Sequence, residues 1–84
     1  MSFEAIIKNN SQKKSDKILP QMKLISDLGI DSMGFVSIIV ELEEEIGCEF
    51  PVEALVFDDE TTVENLMTVY YEERRKNEER IISL

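Results

Sequence analysis

Apolar residues recur along the 84-residue chain with the spacing of amphipathic helices. The first such segment carries Phe3, Ile6 and Ile7 behind Ser2, a residue type that caps helix N-termini. Polar residues take over across positions 9–14. We therefore expect a first helix that begins near Ser2 and fades in this polar stretch.

The clearest helical pattern covers residues 32–46. Asp31 precedes it as an N-cap whose negative charge suits the positive end of the helix dipole, and Gly47 follows it as a left-handed C-cap. At 100° per residue, one side of this helix is apolar and is expected to face the core. The residues of that side are Phe35, Ile38, Ile39, Leu42 and Ile46.

The sequence after Gly47 predicts one short helix and one long helix. A short helix is expected to begin near Pro51, because proline is tolerated in the first turn. Thr61 and Glu64 form a capping-box pattern at the start of a last helix. In that helix Tyr70 is expected in the core and Tyr71 at the surface. Its charged continuation, residues 72–80, either extends the helix or frays.

A long connection, residues 15–31, joins the first two main helices. It contains Pro20 and Gly29 but is too apolar for a disordered linker. Its apolar residues are Ile18, Leu19, Met22, Leu24, Ile25, Leu28 and Ile30. We expect it to pack across the helices. The fold class predicted is all-α: one domain over residues 1–84, a four-helix bundle with three main helices, one short helix and a long first loop.

Composition excludes several classes of function. With one cysteine and no histidine, the chain can form neither an intramolecular disulfide nor a Cys/His zinc site, and no metal site is expected. A formal charge of −9 disfavours nucleic-acid binding. No apolar run is long enough to span a membrane, and the N-terminus does not resemble a signal peptide. These features predict a monomeric cytoplasmic protein without nucleic-acid partners.

The acidic charge is concentrated in one part of the sequence. Residues 1–31 carry five basic and four acidic side chains, whereas residues 32–84 carry four basic and 14 acidic ones. This asymmetry suggests that basic partners meet the second part of the chain. The alternative is that the acids only keep a small protein soluble.

Ser32 is the candidate for chemistry. It follows a glycine-bearing loop and places a hydroxyl on the first, outward-facing turn of the clearest helix. A serine nucleophile needs a neighbouring base, yet the chain has no histidine, and Asp31 is a weak base. Ser32 is therefore interpreted as the substrate of another enzyme. No catalytic residues are predicted, and the chain is expected not to be an enzyme.

The sequence around Ser32 resembles the acyl carrier protein family, including its peptidyl and D-alanyl carrier relatives. The family's D-S-L-like tripeptide after an L-G pair appears as residues 27–33, DLGIDSM. The similarity continues through Val36 and residues 40–46, then 49–51 and 61–63. It spans nearly the whole chain and is weakest before Leu24.

The resemblance implies a freestanding carrier with an acyl-carrier-like bundle. Ser32 would be esterified to 4′-phosphopantetheine from coenzyme A by a phosphopantetheinyl transferase, with Asp31 and Met33 flanking the attachment site. The thiol of that arm would hold an acyl or aminoacyl group as a thioester. The group would pass to partner enzymes of fatty-acid, polyketide or related biosynthesis. A long acyl cargo would require an internal pocket among Phe35, Ile39, Leu42 and Leu66.

The outer face of the same helix is the candidate docking surface. Met33, Ser37, Val40 and Glu44 lie together on it, with Glu41 and Glu43 on its flanks. Apolar contact at Met33 and Val40, ringed by carboxylates, would suit enzymes with basic docking patches. The alternative hypothesis is an unmodified acidic adaptor that binds partner proteins through Met33 and Val40.

One departure from the family pattern concerns this surface. Family members in fatty-acid synthesis usually have acidic residues where this chain has Gly34 and Ser37. The D-S-x-G sequence of residues 31–34 resembles that of D-alanyl carriers and of some stand-alone biosynthetic carriers. The cargo and the pathway remain open from the sequence.

Overall fold

The computed structural model describes residues 3–14 and 16–82, with the side chains up to residue 79. In chain order the elements are α1 (Phe3–Asn10), α2 (Ser32–Ile46), a 3-10 turn (Val52–Ala54) and α3 (Val63–Ile82). No strand occurs in these ranges; an isolated bridge pairs Lys23 with Thr62. The all-α prediction is confirmed. The expected cap at Ser2 lies outside the described residues.

The four-helix description is not confirmed, because the short helix predicted near Pro51 is a single 3-10 turn. Residues 55–57, which follow this turn, are not helical. Leu55 and Phe57 pack against the core, while Val56 between them is exposed. Phe57 stacks on Phe35 with ring centroids 4.6 Å apart. This alternation of inward and outward side chains is that of an extended segment rather than a helix.

Helix α2 has the predicted caps and the predicted core face. The Asp31 side chain accepts a hydrogen bond from the Gly34 amide, and Gly47 ends the helix with φ of 76°. All five residues of the predicted apolar side are buried, and α2 packs against both α1 and α3. The other helices of the core therefore pack against helix α2.

The long connection packs as expected. Leu24, Leu28 and Ile30 are fully buried in the same core as α1 and α2. The connection is also tied to the beginning of α3 by backbone hydrogen bonds. The Leu24 amide donates to the Thr61 carbonyl at 3.0 Å, and the Val63 amide donates to the Met22 carbonyl at 2.9 Å.

The predicted cap of the last helix was wrong by one residue. The capping pair is Thr62 and Asn65: the Asn65 amide donates to Thr62 Oγ1 at 3.2 Å, and the Thr62 amide donates to Asn65 Oδ1 at 2.9 Å. Thr61 is buried, and its hydroxyl donates to the Val56 carbonyl and to the Asp58 carboxylate. Its burial against the preceding loop, which the local pattern does not encode, removes Thr61 from the capping role.

The charged continuation of α3 is helical to Ile82 and contacts the far end of α2. Asn77 Nδ2 donates to the Ile46 carbonyl at 2.6 Å and so satisfies one of the last backbone acceptors of α2. Tyr70 is buried with its ring 5.4 Å from that of Phe3, whereas Tyr71 is exposed. Both tyrosine predictions are confirmed.

Burial of the long connection can be tested with two leucines from it. Leu28 is fully buried and Leu19 is 40% exposed. Leu28→Ala is expected to lower the free energy of unfolding by about 2–5 kcal/mol, because it removes core contacts and leaves a cavity. Leu19→Ala is expected to lower it by less than about 1 kcal/mol. Urea unfolding followed by circular dichroism measures both; equal losses would contradict this packing.

Candidate functional site

Ser32 is the first residue of α2, and its side chain is exposed. The residue before it is held in place from two sides. Asp31 Oδ1 accepts from the Gly34 amide at 2.7 Å, and Asp31 Oδ2 accepts from Gln12 Nε2 at 3.1 Å. The Asp31 carboxylate therefore orders the backbone next to Ser32 while the serine side chain stays open to solvent.

The loop that precedes Ser32 is held by contacts with the core and with the end of the α1 segment. Ile30 is buried and its amide donates to the Leu24 carbonyl at 2.9 Å. The Leu28 carbonyl accepts from the amides of Gln12 and Lys13 at 3.0 and 3.1 Å, which brings the end of the α1 segment to the site. These contacts hold Ser32 at a defined position on the surface.

Gly34 allows α1 and α2 to approach closely beside the serine. A Cβ atom at this position would lie 3.3 Å from the Asn10 carbonyl oxygen, from Asp31 Oδ1 and from Ile30 Cγ2. Contacts of that length are tighter than most that a side chain makes. The absence of an acidic side chain at position 34 therefore has a packing reason in this chain.

The outer face of α2 is apolar next to Ser32. Met33 is 80% exposed, Val36 59% and Val40 45%. Ser37 and Glu44 are exposed as well. Val36 was not included in the docking face predicted from the sequence. It lies three residues after Met33 and four before Val40, so the helical spacing itself could have identified it.

Glu41 and Glu43, predicted to flank that face, are half-buried and make hydrogen bonds within the chain. Glu41 Oε2 accepts from Asn10 Nδ2 at 2.9 Å, which links α2 to the end of α1. Glu43 Oε2 accepts from the Phe50 amide at 2.9 Å and so holds the segment that follows α2. The sequence pattern did not reveal either contact, because the partners lie 31 and seven residues away.

A cleft of about 370 Å³ opens between α2, the segment after the 3-10 turn and α3. Phe35, Val56, Leu66 and Val69 are among its apolar lining residues. It shares Phe35 and Leu66 with the pocket expected for a long acyl cargo. Ile39 and Leu42, which were also expected there, do not line this cleft.

Two other sequence features have local structural roles. Asp58, the first residue of an acidic run, accepts hydrogen bonds from the Glu60 amide and the Thr61 hydroxyl and so orders the turn before α3. Cys48 is a free, half-buried thiol packed against the core. Within residues 3–14 and 16–82 no cluster of three potential metal ligands occurs, and no helix is suited to crossing a membrane.

Comparison with known proteins identifies the family. The family model described as the phosphopantetheine attachment site matches residues 7–69, three quarters of the chain. The chain belongs to this family, that of the acyl carrier proteins. Its prosthetic group is therefore 4′-phosphopantetheine, as the resemblance implied, and carriers of this type are not themselves enzymes.

Curated relatives support the same assignment. The acyl carrier protein of Rickettsia bellii is 40% identical over 48 residues, which are 57% of this chain and 59% of that protein. Acyl carrier protein AcpXL of Mesorhizobium japonicum is 40% identical over 48 residues, 57% of this chain and 52% of the relative. Acyl carrier protein 2, mitochondrial, of Arabidopsis thaliana is 36% identical over 47 residues, 56% of this chain and 37% of the relative.

The aligned segments thus span 37 to 59% of the relatives they match. No solved structure matches the chain. The comparisons identify the carrier family but not the serine to which the arm is attached. Attachment at Ser32 and docking on the adjoining face of α2 therefore stay predictions.

The contribution of the Asp31 N-cap to the stability of the fold can be tested by substitution. Asp31→Ala is expected to lower the free energy of unfolding by about 1 kcal/mol, because the Gly34 amide loses its acceptor. Asp31→Asn keeps a good N-cap and is expected to cost clearly less. Urea unfolding of the two variants measures the difference. A full loss with Asn would assign the effect to the charge or to the contact with Gln12 rather than to the hydrogen bond from the Gly34 amide.

Proposed function

We propose that the chain is a carrier that holds an acyl or aminoacyl group as a thioester on a 4′-phosphopantetheine arm attached to Ser32. The observation that carries the proposal is the exposed Ser32 side chain at the first turn of α2, within a stretch that matches the phosphopantetheine attachment family. Delivery would be to enzymes of fatty-acid, polyketide or related biosynthesis.

The residues at this position suit the group. The phosphodiester would lie at the N-terminus of α2, where the helix dipole favours negative charge. The Asp31 carboxylate already accepts two hydrogen bonds and is aimed at the backbone and at Gln12. It is therefore poorly placed to take the Ser32 proton.

The attachment chemistry is the one that membership of the carrier family implies. A transferase would supply the base, with Mg²⁺ and coenzyme A as co-reactants. The Ser32 oxygen would form a bond to the phosphorus next to the pantetheine as the phosphoanhydride bond to 3′,5′-ADP breaks. The serine proton would leave through the transferase. When attached, the arm supplies a thiol that forms thioesters; the chain itself contributes the fixed position of that arm.

The docking surface proposed for partner enzymes lies on α2 beside the attachment point. Met33, Ser37, Val40 and Glu44 are exposed there, and Val36 extends the same face. An enzyme that acts on Ser32 itself would meet this part of the surface, because it adjoins Ser32 along the helix.

Attachment at Ser32 is tested by intact mass after incubation with a broad-specificity phosphopantetheinyl transferase, coenzyme A and Mg²⁺. Wild type is expected to gain one phosphopantetheinyl group. Ser32→Ala is expected to gain none while keeping the circular dichroism spectrum and thermal midpoint of wild type. Ser26→Ala, which changes an exposed serine in the long connection outside the docking surface, serves as the matched control and should be modified normally.

Two results would overturn this assignment. Modification of Ser32→Ala would place the arm on another residue. A folded, initially unmodified wild type that gains no mass would instead favour the alternative of an unmodified adaptor.

A further inference from the structure

The exposed face of α2 carries no charge from Ser32 to Val40; its first carboxylate, that of Glu44, lies about one turn further along the helix. Residues 32–40 contain no acidic or basic side chain, in a chain of which 32% is charged. The exposed residues of this stretch are Ser32, Met33, Val36, Ser37 and Val40. Three of these five are apolar. Contiguous exposed apolar residues mark interaction sites more often than single ones do.

Three of the carboxylates around this face, those of Asp31, Glu41 and Glu43, accept hydrogen bonds within the chain, whereas Glu44 is exposed at its far end. Asp31 is bonded to the Gly34 amide and to Gln12. Glu41 holds Asn10 at 2.9 Å, and Glu43 holds the Phe50 amide at 2.9 Å. Each of these carboxylates stabilises the fold of the chain, and moving it to a partner would break a hydrogen bond between elements.

Gly34 is part of the same arrangement. Because it has no Cβ, the Asn10 carbonyl can lie close to the first turn of α2. The Asn10 side chain then bridges the Ile6 carbonyl and Glu41. The position at which the family's fatty-acid carriers usually have an acid is thus used here for packing against α1, and the Asn10 side chain at this contact binds the half-buried Glu41.

We infer that the transferase that modifies Ser32 docks on this face through apolar contact with Met33, Val36 and Val40, and not through basic residues that pair with α2 carboxylates. The inference rests on the proposed function, since it names the chemistry of the partner of that site. The transferase must bring its own active site to Ser32. A protein surface that does so covers the adjoining two turns, because Val40 is only about 12 Å further along the helix axis.

The test is the Michaelis constant of a broad-specificity transferase for the chain, measured with coenzyme A and Mg²⁺. Raising NaCl from about 50 to about 500 mM is expected to change it by less than about threefold, because apolar contact is not screened. Val36→Ser is expected to raise it about tenfold, as loss of a central apolar contact does. Leu19→Ser, a partly exposed apolar residue outside α2, is the control and should leave it unchanged.

Three charge variants separate apolar from ionic docking. Ser37→Glu places an acid on the face; it raises the Michaelis constant if docking is apolar and lowers it if basic residues dock there. Glu41→Gln and Glu43→Gln remove charge but keep a hydrogen-bond acceptor. They leave the Michaelis constant within about twofold of wild type if these residues serve the fold, and raise it if they serve the partner.

The outcomes distinguish this inference from the proposed function. Normal modification with a steep salt dependence, or with improvement by Ser37→Glu, overturns apolar docking and leaves the carrier function intact. If wild type is not modified, titration calorimetry of the transferase without coenzyme A decides. If the transferase binds the chain independently of salt and Val36→Ser weakens that binding, apolar docking is supported even though no arm is attached. Absence of binding overturns both proposals.

Discussion

Burial of one side of α2 is the constraint on which the rest of the molecule depends. A chain of 84 residues without a disulfide depends on a small hydrophobic core for its stability. Helix α2 contributes five buried apolar side chains to that core. Helices α1 and α3 pack against this side, and the long connection is buried in the same core. Rotation of α2 about its axis would expose that core, so the outward direction of the opposite face follows from the packing.

The orientation of α2 also determines what its first turn presents. Ser32 lies on the edge of the outward face, and Asp31 ends the loop that the buried Leu28 and Ile30 anchor. The backbone at the site is therefore held by hydrogen bonds and buried neighbours, while the side chain of Ser32 is exposed. That combination suits a residue that another enzyme must reach and that later has to hold an arm at a defined point.

Hydrogen bonds of polar side chains connect several of the elements. Asn10 with Glu41, Glu43 with the Phe50 amide, and Asn77 with the Ile46 carbonyl each connect α2 to a different part of the chain. Within the described residues, no fully buried side-chain nitrogen or oxygen lacks a hydrogen-bond partner. In an acidic protein, some carboxylates thus serve internal structure, and counting acids in the sequence overstates the acidity of the surface that a partner meets.

The sequence by itself determined the helices with strong periodicity, both caps of α2, the burial of the long connection and the carrier family. These features depend on local spacing and on short motifs, which a linear pattern contains. Only the tertiary structure decided that residues 52–54 make a single turn, that Thr62 rather than Thr61 caps α3, and that Glu41 and Glu43 bond within the chain. The reason is physical: each of these outcomes depends on packing against neighbouring segments or on a partner elsewhere in the chain. The local pattern around those residues holds no information about such contacts.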